Sequence, residues 1–349
     1  MDKQSNRWFE YLITHFSHEQ AKLLDSYATT LELNSIPIIF EVDHLSRLLG
    51  IEFALLSRMI GASNLFYRHF SIPKRSGSIR LIESPYPKLI YVQQWIKSNI
   101  LDTRPVSNLA FAYVKGGSHI NNAKQHIGAK ELLKIDLVNF FEHITFSSVK
   151  EVFRECGYSD KLSHQLAKLC CNRERLPQGS PTSPTISNII FLELDNKLES
   201  LAKKHNIIYT RYADDICFSG ELVSEEFYSI VRSLIESEGF HINKKKSKIL
   251  KSNHRKVVTG LVVSGPTIRV PKKYRREYRK ESYYLLKNGI NQFNGNIDEF
   301  NPLYIDEIIG KGQYILTVEP DNEYVKNSLS QLSELKKEIL SLSSPSDSL

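Results

Sequence analysis

A chain of 349 residues, 41% hydrophobic and 24% charged, is long enough for two or three packed subdomains and has an ordinary globular make-up. No apolar run approaches the roughly 18 residues of a membrane-spanning helix, Met1–Arg7 holds no apolar signal region, and the four cysteines show no CxxC spacing, so a membrane span, a zinc module and a disulfide framework are set aside and a reducing cytosol is expected. The net charge of +7 is uneven: Ile242–Lys287 carries 15 Lys/Arg against only Glu277 and Glu281, a surplus of 13, and the rest of the chain is net acidic.

In chain order, residues 1–60 read as helical, with Phe9, Leu12 and Phe16 at helix spacing. Pro37 interrupts the pattern, and Asp43 is placed to cap a helix through Leu49. Ser76-Gly77 predicts a hairpin turn between Ser71–Lys74 and Ser78–Ile82, and Pro85 and Pro87 introduce a helix through Ile96. Leu132–Leu137 alternates with period two, setting Leu133, Ile135 and Leu137 on one face and Lys134 and Asp136 on the other. Helices follow over 147–156 and from Pro184 onward, the second with an apolar stripe of Ile186, Ile190, Leu194, Leu198 and Leu201. Two β-branched runs, Ile207–Thr210 and Ile216–Phe218, flank Tyr212-Ala213-Asp214-Asp215 and predict strand, turn and strand. A helix spans 225–237, Val257–Val263 is a further strand or hairpin edge, and beyond Pro271 the chain is helical and basic. Ser341–Leu349 is Ser-rich and expected to be disordered. Short strands and hairpins among long helices predict an α+β fold, an antiparallel sheet backed by helices on one face.

Asp214 and Asp215 repel each other at a turn, which is either well solvated or the seat of a cation, a divalent ion being the natural one. Asp136, beside Phe140-Phe141, is either a lone surface residue or the other half of a metal site. Leu176–Pro184, with Gly179 and three prolines, is a rigid turn into a helix N-terminus, either a plain capped loop or a place for an anion. The basic block is either a solvated face or a phosphate-binding surface. Its cations alternate with tyrosines from Lys272 to Tyr284, which favours nucleic acid, with rings left to stack on sugars or bases.

Taken in order, Asp136-x-x-x-Phe140-Phe141, Leu176-Pro177-Gln178-Gly179-Ser180-Pro181-x-x-Pro184 and Tyr212-Ala213-Asp214-Asp215 resemble motifs A, B and C of reverse transcriptases. Gly239-Phe240-x-Ile242-Asn243-x-x-Lys246 resembles motif D, and the hairpin around Ser76-Gly77 resembles the fingers hairpin; together these cover roughly Phe70 to Val263. Asn122-Ala123-x-x-His126 and Val258-Thr259-Gly260 resemble two signatures of the bacterial retron branch. Ser78, where a second Gly is frequent, and Ser247, where Thr is frequent, are the departures, and neither touches the chemistry.

The resemblance implies a right-hand polymerase: N-terminal helices and helical/hairpin fingers over 1–130, an antiparallel-sheet palm over 131–265 with a fingers return near 150–178, and a helical thumb over 266–349. Asp136, Asp214 and Asp215 would be the catalytic metal-site carboxylates for two Mg²⁺ ions, with Mn²⁺ as a substitute. Lys74, Arg80, Phe141, Gln178, Gly179 and Lys246 would contact the dNTP, Phe141 as the ring that excludes a ribose 2′-OH and Lys246 as proton donor to pyrophosphate. Asn122, His126, Arg255, Thr259, Lys272, Lys273, Arg275, Arg276, Arg279 and Lys280 would meet RNA or template–primer, although a single His such as His126 is also a natural structural hydrogen-bonding residue. The implied partners are dNTPs, a cognate noncoding RNA (msr-msd), its branched RNA-linked DNA product (msDNA) primed from a guanosine 2′-OH, and an effector protein of antiphage defence, in the bacterial cytoplasm with no membrane. The alternatives are a group II intron, diversity-generating or CRISPR-associated reverse transcriptase, or a non-catalytic RNA-binding scaffold or antitoxin on the same fold. The stretch after Lys287 is short for a maturase extension plus endonuclease, and a scaffold has no need of three repelling carboxylates.

Overall fold

Apolar spacing and end signals set the first helices, α1 (Asn6–Leu12), α2 (His18–Leu33), α3 (Val42–Leu49) and α4 (Phe53–Gly61). The computed structural model describes residues 6–73, 77, 79–289 and 303–343. At the start of α2, Ser17 and Gln20 form a reciprocal capping box. α3 buries Val42, Leu45, Ser46 and Leu49 and ends at Gly50 in the left-handed region. Its N-cap is Glu41 rather than Asp43, which lies within the first turn and pairs with Arg47 at 2.6 Å.

Strands β1 (Tyr67–Pro73) and β2 (Ile79–Pro85) pair antiparallel from Tyr67↔Pro85 to Pro73↔Ile79, a longer hairpin than the sequence predicts. Then come α5 (Pro87–Asn99), α6 (His119–Lys124), β3 (Glu131–Asp136), α7 (Phe146–Glu155), α8 (Asp160–Cys170) and α9 (Ser183–Lys204). β4 (Ile208–Tyr212) and β5 (Asp215–Gly220) follow, joined by two residues and therefore antiparallel. α10 (Glu225–Ser237), β6 (Lys248–Leu250), β7 (Val257–Val258), β8 (Leu261–Val262), α11 (Lys272–Asn288), α12 (Leu303–Val318) and α13 (Glu323–Ser343) complete the order. α13 continues through Ser343, so the expected disordered tail starts no earlier than residue 344, outside the described residues.

The main sheet has the order β4-β5-β3-β6. The chain divides into two compact units. One comprises Met1–Gly117, Lys134–Ile216 and Ser224–Lys248; the other comprises Ser118–Leu133, Cys217–Val223 and Ile249–Leu349. Both are discontinuous, whereas the expected segments 1–130, 131–265 and 266–349 divide the chain by role and not by contact. In the first unit α9 packs on α7, α10 and β4. The stripe on α9 tilts from the expected one: Asn188, Phe191, Asp195, Leu198 and Ala202 are buried, while Ile190 and Leu201 are only half-buried. In the second unit α11, α12 and α13 pack on one another around Tyr278, Leu285, Ile308 and Ile315. Among the described residues no helix is long and apolar enough to cross a membrane.

Candidate active site

The β4–β5 turn is Ala213-Asp214, and Ala213 sits at a φ of 57°. That region costs an L-residue about 1–2 kcal/mol, and such strain persists only where the surroundings over-determine it. They do here. Arg211 Nη1 donates to the Ala213 carbonyl at 3.3 Å, and the Leu137 amide donates to the Asp214 carbonyl at 3.1 Å. The second bond sets the turn beside the end of β3, where Asp136 stands.

The next element brings a cation. The Asn243 amide donates to the Asp136 carbonyl at 2.8 Å, and the Asp136 amide donates to Ser247 Oγ at 3.2 Å. The turn over 243–246 aims one of three neighbouring lysines at the cluster, with Lys246 Nζ 2.9 and 3.1 Å from the two carboxylate oxygens of Asp136. Burial raises the Asp214 carboxyl above its usual range, and Asp215 and Asp136 raise it further while Lys246 opposes them. Asp215 is likewise raised, mainly by burial, with Asp136 adding to the rise and Lys134 and Lys246 opposing it. Lys246 is raised by its hydrogen bonds to Asp136 and by the charge of all three carboxylates. The three predicted Asp and Lys246 thus form one cluster.

Phe140 and Phe141 differ in burial. Phe140 is buried against Phe191 (5.7 Å) and Phe240 (5.8 Å), whereas Phe141 stays half-buried and faces Tyr113 at 6.4 Å. Arg80 is exposed on β2, and Lys74 lies outside the described residues.

The Leu176–Pro184 loop is fastened to β2. The Glu83 amide donates to the Gln178 carbonyl at 2.9 Å, and a Cβ on Gly179 would lie 2.9 Å from the Glu83 carbonyl, at a φ of 132°. Glycine is required there for close backbone approach. Ser180 Oγ donates to Gln93 Oε1 (2.9 Å), whose Nε2 donates to Tyr67 Oη (2.8 Å), and Ser183 Oγ donates to the Pro177 carbonyl (2.8 Å). Glu83 itself is buried and takes Asn172 Nδ2 (2.9 Å) and Arg175 Nη1 (3.0 Å).

Sequence reasoning missed the support beneath the turn. Arg211 is fully buried. Its Nε and Nη2 donate to Asp195 at 2.8 and 2.7 Å, and Nη1 donates to Asn188 Oδ1 at 3.0 Å. Tyr209 Oη adds a bond to Asp195 at 2.5 Å, and the guanidinium lies over Phe191 at 4.4 Å. A signal existed: Asn188 and Asp195 are seven apart on α9, and Tyr209 and Arg211 are two apart on β4, so each pair shares a face.

In the second unit two of the expected RNA contacts lie inside the fold. Asn122 and His126 are both fully buried. His126 Nδ1 lies 2.6 Å from Ser219 Oγ, and burial lowers its pKa to about 4, so it is neutral and structural. Asn122 has neither amide atom hydrogen-bonded. Val258-Thr259-Gly260-Leu261 is a tight hairpin with φ of 44° at Thr259 and 86° at Gly260. Two positive φ values mark a type I′ turn. Thr259 Oγ1 donates to the His119 carbonyl on α6 at 2.7 Å, so the two signatures form one folded module. Of the basic residues, Arg255, Lys272, Lys273, Arg276, Arg279 and Lys280 are exposed, while Arg275 is half-buried beside Glu319 at 3.4 Å.

Among the described residues no group of three or more His, Cys, Asp or Glu side chains is arranged to hold a metal ion as it stands. The donor chemistry of the carboxylate cluster nevertheless fits a cation: Asp215 and Asp136 add to the rise in proton affinity at Asp214, and the Lys246 ammonium on Asp136 already stands in for positive charge.

Residues 72–274 match the family Reverse transcriptase (RNA-dependent DNA polymerase). The retron Ec86 reverse transcriptase of Escherichia coli is 31% identical over 317 residues, which cover 89% of this chain and 95% of that protein. This chain belongs to the retron reverse transcriptases. It is therefore an RNA-directed DNA polymerase of the right-hand fold that takes an RNA template, in a family that generally uses divalent metal ions. The retron Mx162 reverse transcriptase of Myxococcus xanthus is 36% identical over 248 residues, 61% of this chain and 51% of that longer protein. A telomerase structure from Candida albicans, in complex with a fragment of telomeric RNA, aligns at 12% identity and a TM-score of 0.47 over 80% of this chain and 64% of that one.

Proposed function

We propose that this retron reverse transcriptase binds a structured noncoding RNA (msr-msd), primes from the 2′-OH of one guanosine, and copies part of that RNA into branched, RNA-linked single-stranded DNA (msDNA). The observation that carries the site assignment is the single cluster of Asp136, Asp214, Asp215 and Lys246. Two Mg²⁺ ions, or Mn²⁺ in their place, held by Asp136 and Asp214 with Asp215 in support, would polarise the attacking hydroxyl and neutralise the leaving pyrophosphate. Arg80 and Lys74 bind the triphosphate of the dNTP, and Phe141 lies under its sugar and excludes a 2′-OH. Gln178 lines the nucleotide pocket, where the fastening of Gly179 to β2 holds it. Lys246 leaves Asp136 when the triphosphate arrives and gives its proton to the departing pyrophosphate.

The exposed cations Arg255, Lys272, Lys273, Arg276, Arg279 and Lys280 bind RNA phosphates. By role, 1–130 serves as N-terminal helices and fingers, 131–265 as palm and 266–349 as thumb. The RNA–DNA product stays bound and restrains an effector protein in antiphage defence, in the bacterial cytoplasm.

The test is synthesis by purified protein on its cognate RNA with Mg²⁺ and dNTPs. DNA covalently joined to RNA is expected. The double variant Asp214→Asn/Asp215→Asn should fold and bind RNA but lose at least about 10³-fold in synthesis. Undiminished synthesis by that variant would remove the metal-site assignment.

A further inference from the structure

Tyr113 has no role in the reading above, yet its placement is costly and specific. It stands at a φ of 63°, left-handed backbone that a bulky L-residue rarely adopts and a glycine takes freely. The loop around it is held firmly. Asn188 Nδ2 donates to the Ala112 carbonyl at 2.9 Å, the Phe111 amide donates to the Arg211 carbonyl at 2.8 Å, and the Gly117 amide closes a turn on the Val114 carbonyl at 3.1 Å. Gly117 packs so closely that a Cβ would lie 2.5 Å from the Phe111 carbonyl oxygen. Gly116 and Gly117, three and four residues on, show that glycine is in use within this same loop. Position 113 instead carries a large ring that is 51% exposed, so the ring contributes little to the core that could explain its strained backbone. Strain kept at a residue whose side chain faces outward points to a use outside the fold.

Its surroundings say what use. The ring lies 6.4 Å from that of Phe141, tilted at 45°. The phenol is within electrostatic reach of Asp214 and Tyr212, which add to the upward push of burial, and of Arg80, which opposes it. The side chain therefore lies beside the ring proposed to pack on the sugar, within electrostatic reach of the proposed triphosphate cation and a proposed catalytic carboxylate.

We infer that Tyr113 is a second aromatic wall of the nucleotide pocket, which holds the deoxyribose of the incoming dNTP against Phe141 through its ring. The inference rests on the assignment of Asp214, Arg80 and Phe141 made under Proposed function. A flat ring supplies a large contact face at small conformational cost, and two rings at an angle form a corner that matches a furanose better than one does. Contact made equally in the ground and transition states acts on KM more than on kcat.

The experiment is steady-state incorporation of dTTP on oligo(dT)-primed poly(rA), with UTP as competitor, by the full-length chain. Tyr113→Gly should raise KM for dTTP about tenfold with kcat within about twofold, and relax discrimination against UTP. Tyr113→Phe keeps the ring and should stay within about twofold of the parent in KM. Because glycine relieves the backbone, Tm of Tyr113→Gly should hold or rise. A lower Tm with unchanged KM would assign the ring to folding and overturn the inference, as would unchanged KM and UTP discrimination at an unchanged Tm. If Tyr113→Phe loses as much as Tyr113→Gly, the hydroxyl and not the ring makes the contact, and the wall is refuted. Asp214→Asn in the same assay separates the two readings: its loss of synthesis alongside a silent Tyr113→Gly sinks only the wall, while retained synthesis sinks the site itself.

Discussion

Two acid–base clusters lie in the same compact unit, and they are finished differently. In the Arg211 cluster, Asp195 takes bonds from both arms of the guanidinium and from Tyr209, and Arg211 also donates to Asn188 and Ala213. All of it is closed from solvent, with relative exposures of 0% for Arg211 and Asp195. In the Asp136 cluster, one flexible lysine, 61% exposed, serves Asp136, while Asp214 and Asp215 are left with raised proton affinity. The lesson is about availability. A closed pair fixes geometry and offers nothing to a ligand, whereas an open one holds charge that a substrate or cation can claim. The closed cluster lies under the turn that carries the open one, so the first can position the second.

The largest effect expected from this difference is on stability. Asp195→Asn strands the buried Arg211 guanidinium and should cost about 3–5 kcal/mol, a fall in Tm on the order of 10 °C. Lys246→Met breaks an ion pair of similar length at the surface and should cost less than about 1 kcal/mol. Thermal and urea unfolding of both variants decides it, and equal losses would break the comparison.

A second closed group sharpens it through pH. His126 is held neutral with a pKa of about 4, against 6.5 for the free side chain. Between those values the unfolded chain takes a proton that the fold refuses. Stability from this group is therefore intact above pH 6.5, falls as pH drops toward 4, and levels off below, for a total of about 3 kcal/mol. The open cluster has the opposite sign. Asp214 and Asp215 are raised in the fold, so acidification through their folded-state range favours the native state. Urea midpoints across pH 4–7 for the parent and His126→Asn should converge at the acid end. A parallel pair of curves would show that His126 is not the group responsible.

The open cluster was legible in the sequence because its residues repel: Asp214-Asp215 at a turn between β-branched runs, and Asp136 on the polar face of an alternating strand, stand out without any fold. The closed cluster was not, because each member looks ordinary alone. Asp195 follows Leu194 within an apolar stripe, and only the tilt of that stripe toward Phe191 shows it to be buried. Helices and strands with clear periods were placed within a residue or two, as with Glu225–Ser237. The α3 cap was misplaced because Glu41 holds the extended backbone of an N-cap without any side-chain bond, which no residue preference reveals. The resemblance puts Asn122 and His126 at RNA, with a structural role left open for His126, because polar character carries no record of burial, and Tyr113 leaves no periodic trace since it sits in a loop.

Thr259 lies between the two kinds of cluster and should give the smallest effect. It is half-buried, its hydroxyl closes on the His119 carbonyl at 2.7 Å, and its backbone holds a φ of 44° that a β-branched residue disfavours. Thr259→Val preserves the branching and the strain and removes only the hydroxyl, leaving the His119 carbonyl to water. The cost should be about 1 kcal/mol, read in urea on the RNA-free protein. Thr259→Gly loses the same bond but releases the backbone, and the two terms should nearly cancel. A tether predicts this ordering without any RNA present. If Thr259→Val is as stable as the parent and binds the cognate RNA more weakly, the hydroxyl belongs to the open class, and the hairpin is a contact surface after all.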